Sequence, residues 1–136
     1  MAIKYGGETL KLMSYFEAST KAVLKDCFVD KNGILNFIVL EGMSNAIGKG
    51  GENARSLEAR LKRKIRLVLF SDVLETFVAN LLLPIKPKDI ENKEGIVVIT
   101  PEPETRGYII GRAGSNLRNM EETVKRYFDI KEIKVA

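Results

Sequence analysis

An internal repeat constrains the fold of this chain more than any other feature. Shifted by 63 residues on itself, the sequence lays Ala46-Ile-Gly-Lys-Gly-Gly-Glu-Asn-Ala-Arg55 over Ile109-Ile-Gly-Arg-Ala-Gly-Ser-Asn-Leu-Arg118. Ile47, Gly48, Gly51, Asn53 and Arg55 fall on Ile110, Gly111, Gly114, Asn116 and Arg118, and Lys49 faces the like-charged Arg112. There is no gap, and the register continues from Lys62-Arg63 to Lys125-Arg126. A chain of 136 residues has room for one ordinary domain or two very small ones, and a duplicated unit selects the second. The expected division is 1–71 and 72–136.

The flanks of each copy repeat as well. Ala22–Val29 and Ile34–Leu40 are apolar and β-branched, and Asp30-Lys-Asn-Gly33 between them is a hairpin signal because Asn and Gly tolerate positive φ. Ile85–Ile90 and Gly95–Thr100 form the second hairpin candidate, turning at Glu91–Glu94. Ala54, Leu57 and Leu61 recur at helical spacing after the first glycines, and Leu117, Met120 and Val124 after the second. Ile65–Phe70 and Ile130–Val135 read as closing strands. An amphipathic helix precedes each hairpin, Thr9–Phe16 and then Val73–Leu82, the latter with Ser71 or Asp72 as its expected cap. Each unit thus reads α-β-β-α-α-β, an α+β class. With no Gly/Ser-rich linker between them, the units are expected to pack rigidly.

Composition removes several function classes. The chain has no histidine, the commonest general base and metal ligand, and Cys27 is its one cysteine. Cys27 sits beside Phe28 and Val29 and is expected as a buried small hydrophobe rather than a nucleophile. No signal sequence opens the chain and no apolar run approaches the roughly 20 residues of a membrane span, so a cytoplasmic protein is expected. Positive charge is gathered in two places. Residues 45–68 hold seven Lys or Arg against two Glu, and residues 106–126 hold five against two, within a chain of net charge +4. Such clustering suits a polyanion-binding surface.

Three readings of the glycine turn compete. A P-loop needs four residues between its first glycine and Gly-Lys, then Ser or Thr. Gly42 to Gly48-Lys49 has five between, followed by Gly50. A dinucleotide fingerprint needs a third glycine where Asn53 stands, and the second copy lacks the middle glycine too. The shared pattern is Ile-Gly-x-x-Gly-x-Asn-x-Arg between a short helix and a longer one. It resembles the Gly-x-x-Gly loop of KH domains, which clamps the backbone of about four nucleotides of single strand. Glycine allows the backbone to approach phosphate and sugar, and the N–H groups opening the next helix point at the anion. The candidate contacts are Gly48, Lys49, Gly50, Gly51 and Arg55 in the first copy, and Gly111, Arg112, Ala113, Gly114 and Arg118 in the second. Arg55 and Arg118 could equally pair with carboxylates. Ile47 and Ile110 are expected to pack under the loop, as core first or else as groove floor, and Asn53 and Asn116 are expected to hold the helix starts rather than to contact RNA.

The element order, with no room for a strand and helix after Val135, corresponds to the type II KH arrangement. Two such domains joined this closely resemble those of the NusA family, in its short archaeal form. Ala46–Asn53, Phe77–Pro84, Ile110–Asn116 and Phe128–Val135 carry the likeness, which extends from about Thr9 onward. It implies binding of nascent single-stranded RNA during transcription, with effects on pausing, termination or antitermination. It also implies RNA polymerase as a partner by an unspecified route, because the chain has no room for the polymerase-binding domain of bacterial members. No enzyme activity, cofactor or membrane partner is implied. Two alternatives stay open: a KH protein of the ribosome or of RNA processing, and an enzyme using the loop for a nucleotide, for which Asp26 and Asp30 are close together in sequence but nothing pairs them with a base or a metal set.

Overall fold

Leu12, Met13 and Phe16 lie on one face of α1 (Gly7–Thr20), where they meet a three-stranded sheet. The Thr20 hydroxyl ends this helix by donating to the Phe16 carbonyl (2.7 Å) and accepting the Ala22 N–H (3.1 Å). The chain then enters β1 (Val23–Val29), which pairs antiparallel with β2 (Leu35–Glu41). After β2 come α2 (Met43–Ile47), the glycine loop, α3 (Glu52–Leu61) and β3 (Ile65–Leu69). β3 runs parallel to β2, in register from Leu35↔Ile65 to Val39↔Leu69. Parallel neighbours require a crossover, and the two helices with the loop between them supply it. The glycine loop is therefore held at the turn of a crossover.

The computed structural model describes residues 5–136, so the first four residues of the expected division lie outside what is described. Contacts divide the chain into two units, the first ending at Phe70 and the second running Ser71–Ala136. In the first, the period-2 alternation of β2 turns Leu35, Phe37 and Val39 toward the helices. Phe37 stacks on Phe16 with ring centroids 4.4 Å apart, and Leu57, Ala46 and Cys27 complete this core. Burying each of these phenylalanines contributes about 2–3 kcal/mol. The second unit repeats the order with α4 (Leu74–Leu82), β4 (Asp89–Lys93), β5 (Ile96–Thr100), α5 (Arg106–Ile110), α6 (Ser115–Lys125) and β6 (Glu132–Val135). Its sheet is again mixed, β4 antiparallel and β6 parallel to β5. Phe77 packs edge-on to Tyr127 (5.5 Å) and beside Phe128 (5.8 Å). The fold class is α+β, with one mixed sheet per unit.

Local details depart from the sequence reading. β4 starts at Asp89 rather than Ile85, because Pro87 has no N–H to give the ladder; pairing is taken up by the Lys88 N–H on the Thr100 carbonyl (2.8 Å). Its turn is the two-residue Glu94-Gly95, both at positive φ, rather than Glu91–Glu94. In the first hairpin only Gly33 takes positive φ. The rest is organised by the Asp30 carboxylate, which accepts from the Asn32 and Ile34 N–H groups and from Asn36 Nδ2. α4 is entered from Val73, not capped by Asp72; Ser71 Oγ accepts the Val73 N–H ahead of the helix. No helix among the described residues is long and apolar enough to cross a membrane.

Candidate nucleic-acid interface

Each short helix ends on a glycine whose N–H closes the last turn: Gly48 on Ser44 (2.9 Å) and Gly111 on Gly107 (2.9 Å). These glycines stand at φ 75, ψ 171 and φ 76, ψ 174, a region essentially closed to residues with a side chain. A Cβ on Gly48 would meet the Asn53 N at 2.9 Å and Cγ at 2.8 Å, and one on Gly111 would meet the Asn116 N and Cγ at 2.8 Å. The recurring asparagine fills that space. Asn53 Nδ2 donates to the Asn45 carbonyl (2.7 Å) and Asn116 Nδ2 to the Tyr108 carbonyl (2.8 Å), positions again 63 apart. The asparagines therefore tie each long helix to the end of the short one, which is the structural role expected of them.

The rest of each loop is a tight 3-10 turn. Gly51 N–H bonds the Gly48 carbonyl (3.1 Å) and Gly114 N–H the Gly111 carbonyl (3.2 Å). Gly50 (φ 62, ψ 22) and Ala113 (φ 55, ψ 27) hold the same left-handed conformation. Residues that head such a turn have no carbonyl behind them in it, so the N–H groups of Lys49 and Gly50, and of Arg112 and Ala113, have no acceptor within the turn. α3 and α6 begin directly after the turns and direct their positive dipole ends to the same place. Lys49, Gly50, Arg112 and Ala113 are all exposed. The geometry offers an anion a strip of backbone donors with a cation beside it, once in each unit.

The two arginines behave differently. Arg55 NH1 donates to the Gly50 carbonyl at 2.6 Å and so braces its own loop. Arg118 has no such bond among the described residues; its Nε lies 3.6 Å from where a Cβ on Gly114 would stand. Neither pairs with a carboxylate among the described residues. Ile47 is 39% exposed and Ile110 half-buried, so neither is a core residue. The core positions are their predecessors Ala46 and Ile109, which the short helices turn inward. Ile47 and Ile110 are thus apolar surface beside the loops. The acids that might have suggested an enzyme are structural. Buried Asp26 accepts from Tyr5 Oη and the Cys27 N–H (both 2.7 Å), and Asp30 builds the hairpin. No group of three or more metal-ligating side chains occurs among the described residues.

One feature of the first unit has no counterpart in the sequence reading. Arg60 on α3 donates to Tyr15 Oη on α1 (2.9 Å), and this hydrogen bond is the main reason the phenol titrates below its ordinary value of 10.0. Nothing in the spacing of residues 15 and 60 marks them as partners.

No family model matches the chain. It is similar over its full length to curated archaeal proteins. One from Halobacterium salinarum, called probable transcription termination protein NusA, is 33% identical over 139 residues, covering 100% of both chains. The protein of the same name from Methanococcus vannielii is 34% identical over 141 residues, 100% of this chain and 81% of that one. Among solved structures, the crystal structure of APE1850 superposes with a TM-score of 0.77 at 29% identity, covering 97% of this chain and 100% of that one.

Proposed function

The chain belongs to the archaeal NusA family, and from that membership we propose that it is a non-enzymatic transcription factor binding single-stranded RNA of the nascent transcript. In this reading the units, 1–71 and 72–136, are tandem type II KH domains. The order α-β-β-α-α-β, the mixed sheet and the glycine loop between two helices support that assignment. One observation carries the proposal. Two loops of different sequence, Gly-Lys-Gly-Gly and Gly-Arg-Ala-Gly, hold the same unusual backbone, with an alanine accepting a left-handed conformation to do so. Such a shape costs free energy at Ala113, of order 1 kcal/mol, and its recurrence at equivalent places between two helices supports a shared backbone-contacting role for the loops.

In the proposed complex the N–H groups that head each turn contact phosphate and sugar, Lys49 and Arg112 add charge, and Ile47 and Ile110 offer apolar floor to a base. Gly51 and Gly114 keep the helix starts open. Arg55 acts on the first loop by bracing it, and Arg118 lies free to reach the strand. The test is the full-length double variant Gly50→Asp with Ala113→Asp. A side chain on Gly50 meets nothing within 4 Å, and Asp tolerates left-handed backbone, so the fold is kept. RNA affinity, by fluorescence anisotropy at matched salt, is expected to fall by about a hundredfold or more as two carboxylates face the phosphates. Unaltered affinity would remove the clamp assignment. Crosslinking in cells tests the process: enrichment of nascent transcripts supports transcription, whereas enrichment of mature ribosomal RNA favours the ribosome-associated reading.

A further inference from the structure

Between α1 and α3 of the first unit lies a pocket of about 110 Å³. Tyr15 and Ser19 line it from α1, and Asn53, Ser56 and Arg60 from α3. It begins at Asn53, the residue that supports the first glycine loop, and extends two helical turns, about 10 Å, to Arg60. Hydroxyls, an amide and one guanidinium line it above an apolar floor at Leu57, with no carboxylate among the residues that form it. Arg60 spends one N–H on Tyr15, which positions the group and leaves most of its five donors unused. Beyond Arg60 the exposed run Lys62-Arg63-Lys64 continues the positive charge past the end of α3.

The second unit does not reproduce this arrangement. The residues 63 positions on from Ser56 and Arg60 are Asn119 and Thr123. Both are buried, at 6% and 5% exposure, and Thr123 bonds the Asn119 carbonyl (3.0 Å). The same helix face is closed and uncharged there. The open, cation-bearing pocket is a departure of the first unit from the repeat.

We infer that this pocket is a second backbone-contact site, in which Arg60 with Ser19 and Ser56 takes a phosphodiester of the strand held at the first glycine loop. The inference rests on the RNA-binding reading and adds a place to it. The donors select the ligand group: a guanidinium flanked by two hydroxyls hydrogen-bonds the oxygens of a phosphate, and no carboxylate in the lining repels it. Continuity with the loop at Asn53, and with Lys62–Lys64 at the far end, selects a strand over a free anion.

The experiment compares two labelled single-stranded oligouridylates on the full chain. One spans about four nucleotides, the reach of a single loop, and the other is about three times longer. Arg60→Ala is expected to weaken the longer RNA by about three- to tenfold and to lower its salt slope by about 0.7, the value of one phosphate contact on a single strand. The short RNA is expected to bind as before, and Arg60→Lys to keep the slope. Ser56→Asp, at an exposed position one helical turn before Arg60, places a negative charge in the pocket that pairs with the guanidinium, and is expected to weaken the longer RNA likewise. An unchanged slope in both Arg60→Ala and Ser56→Asp overturns the inference. So does an equal loss on short and long RNA, which would make the pocket a mere support of the loop. Normal binding by the Gly50→Asp, Ala113→Asp variant would instead overturn the clamp assignment, and absence of RNA binding by the unaltered chain would overturn the RNA-binding reading itself.

Discussion

Gly48→Ala and Gly50→Ala, two residues apart in one loop, should differ several-fold in their cost. Both glycines have positive φ, but the free energies come from different sources. At Gly50 (φ 62, ψ 22) an alanine meets the ordinary left-handed penalty of about 1–2 kcal/mol and finds open space around its Cβ. Restricting the unfolded chain returns about 0.4–1 kcal/mol, so the net loss is about 1 kcal/mol. At Gly48 (φ 75, ψ 171) the backbone lies in a region that costs a substituted residue up to about 3 kcal/mol. The new Cβ would also sit 2.9 Å from the Asn53 N, which is backbone and cannot swing aside. Relief requires moving the start of α3 or giving up the Asn53–Asn45 bond, a further 1 kcal/mol or so. The total is about 3–5 kcal/mol, a large share of the stability of a small domain. Urea unfolding followed by circular dichroism measures both against the unaltered chain. Equal losses for the two variants would refute the account of the loop, since strain without the asparagine contact would then suffice.

Asn116→Ala removes the bond to the Tyr108 carbonyl and should destabilise the fold by about 1 kcal/mol, read as a lower urea midpoint at unchanged m; a shift indistinguishable from zero would deny the asparagine its bracing role. Tyr15 should titrate below 10.0 because the Arg60 hydrogen bond favours the phenolate, and Arg60→Gln should move it back up; the absorbance difference between the protein and Tyr15→Phe reads it directly. The depressed folded value means that the pH-dependent part of this pair's stabilisation is present in alkaline solution and lost as pH falls through the folded value, so Tyr15→Phe should lower thermal stability more at alkaline than at neutral pH.

The parts of this molecule legible in the sequence are those dictated by local chemistry. The glycine loops could be read because their backbone admits few residues and because the repeat aligned the positions that matter. The asparagines could be read for the same reason. What escaped was set by packing. Along α2, burial depends on where the helix axis settles on the sheet, and that places Ala46 inward and Ile47 outward against the simple apolar reading. The ungapped register holds only from the short helices to the end of α3 and α6. Six residues, Arg126–Lys131, separate α6 from β6, where three, Lys62–Lys64, separate α3 from β3. Yet both closing strands are anchored by the same device, the Glu58 carboxylate on the Ile65 N–H and the Glu121 carboxylate on the Ile133 N–H. The repeat is conserved in contacts beyond the point where it stops in sequence. The α1–α3 pocket was invisible because its two walls are forty-odd residues apart and only tertiary structure joins them.

The loops reach one shape by opposite routes. The first uses a glycine at its apex, a residue free to leave the left-handed conformation, and Arg55 restrains it through the Gly50 carbonyl. The second uses Ala113, which has fewer alternative conformations to visit, and leaves Arg118 without that duty. Stiffness that the second loop draws from a side chain at the apex is supplied to the first by a guanidinium from the next helix. The charge balance follows from this. Arg55 is partly committed to the protein, and Glu52 stands at the helix start where the second unit has Ser115, so the first loop itself presents less positive charge than its surroundings suggest. The seven cations of residues 45–68 therefore lie mostly outside the loop, along α3 and just past it, and that is where the first unit departs from its copy.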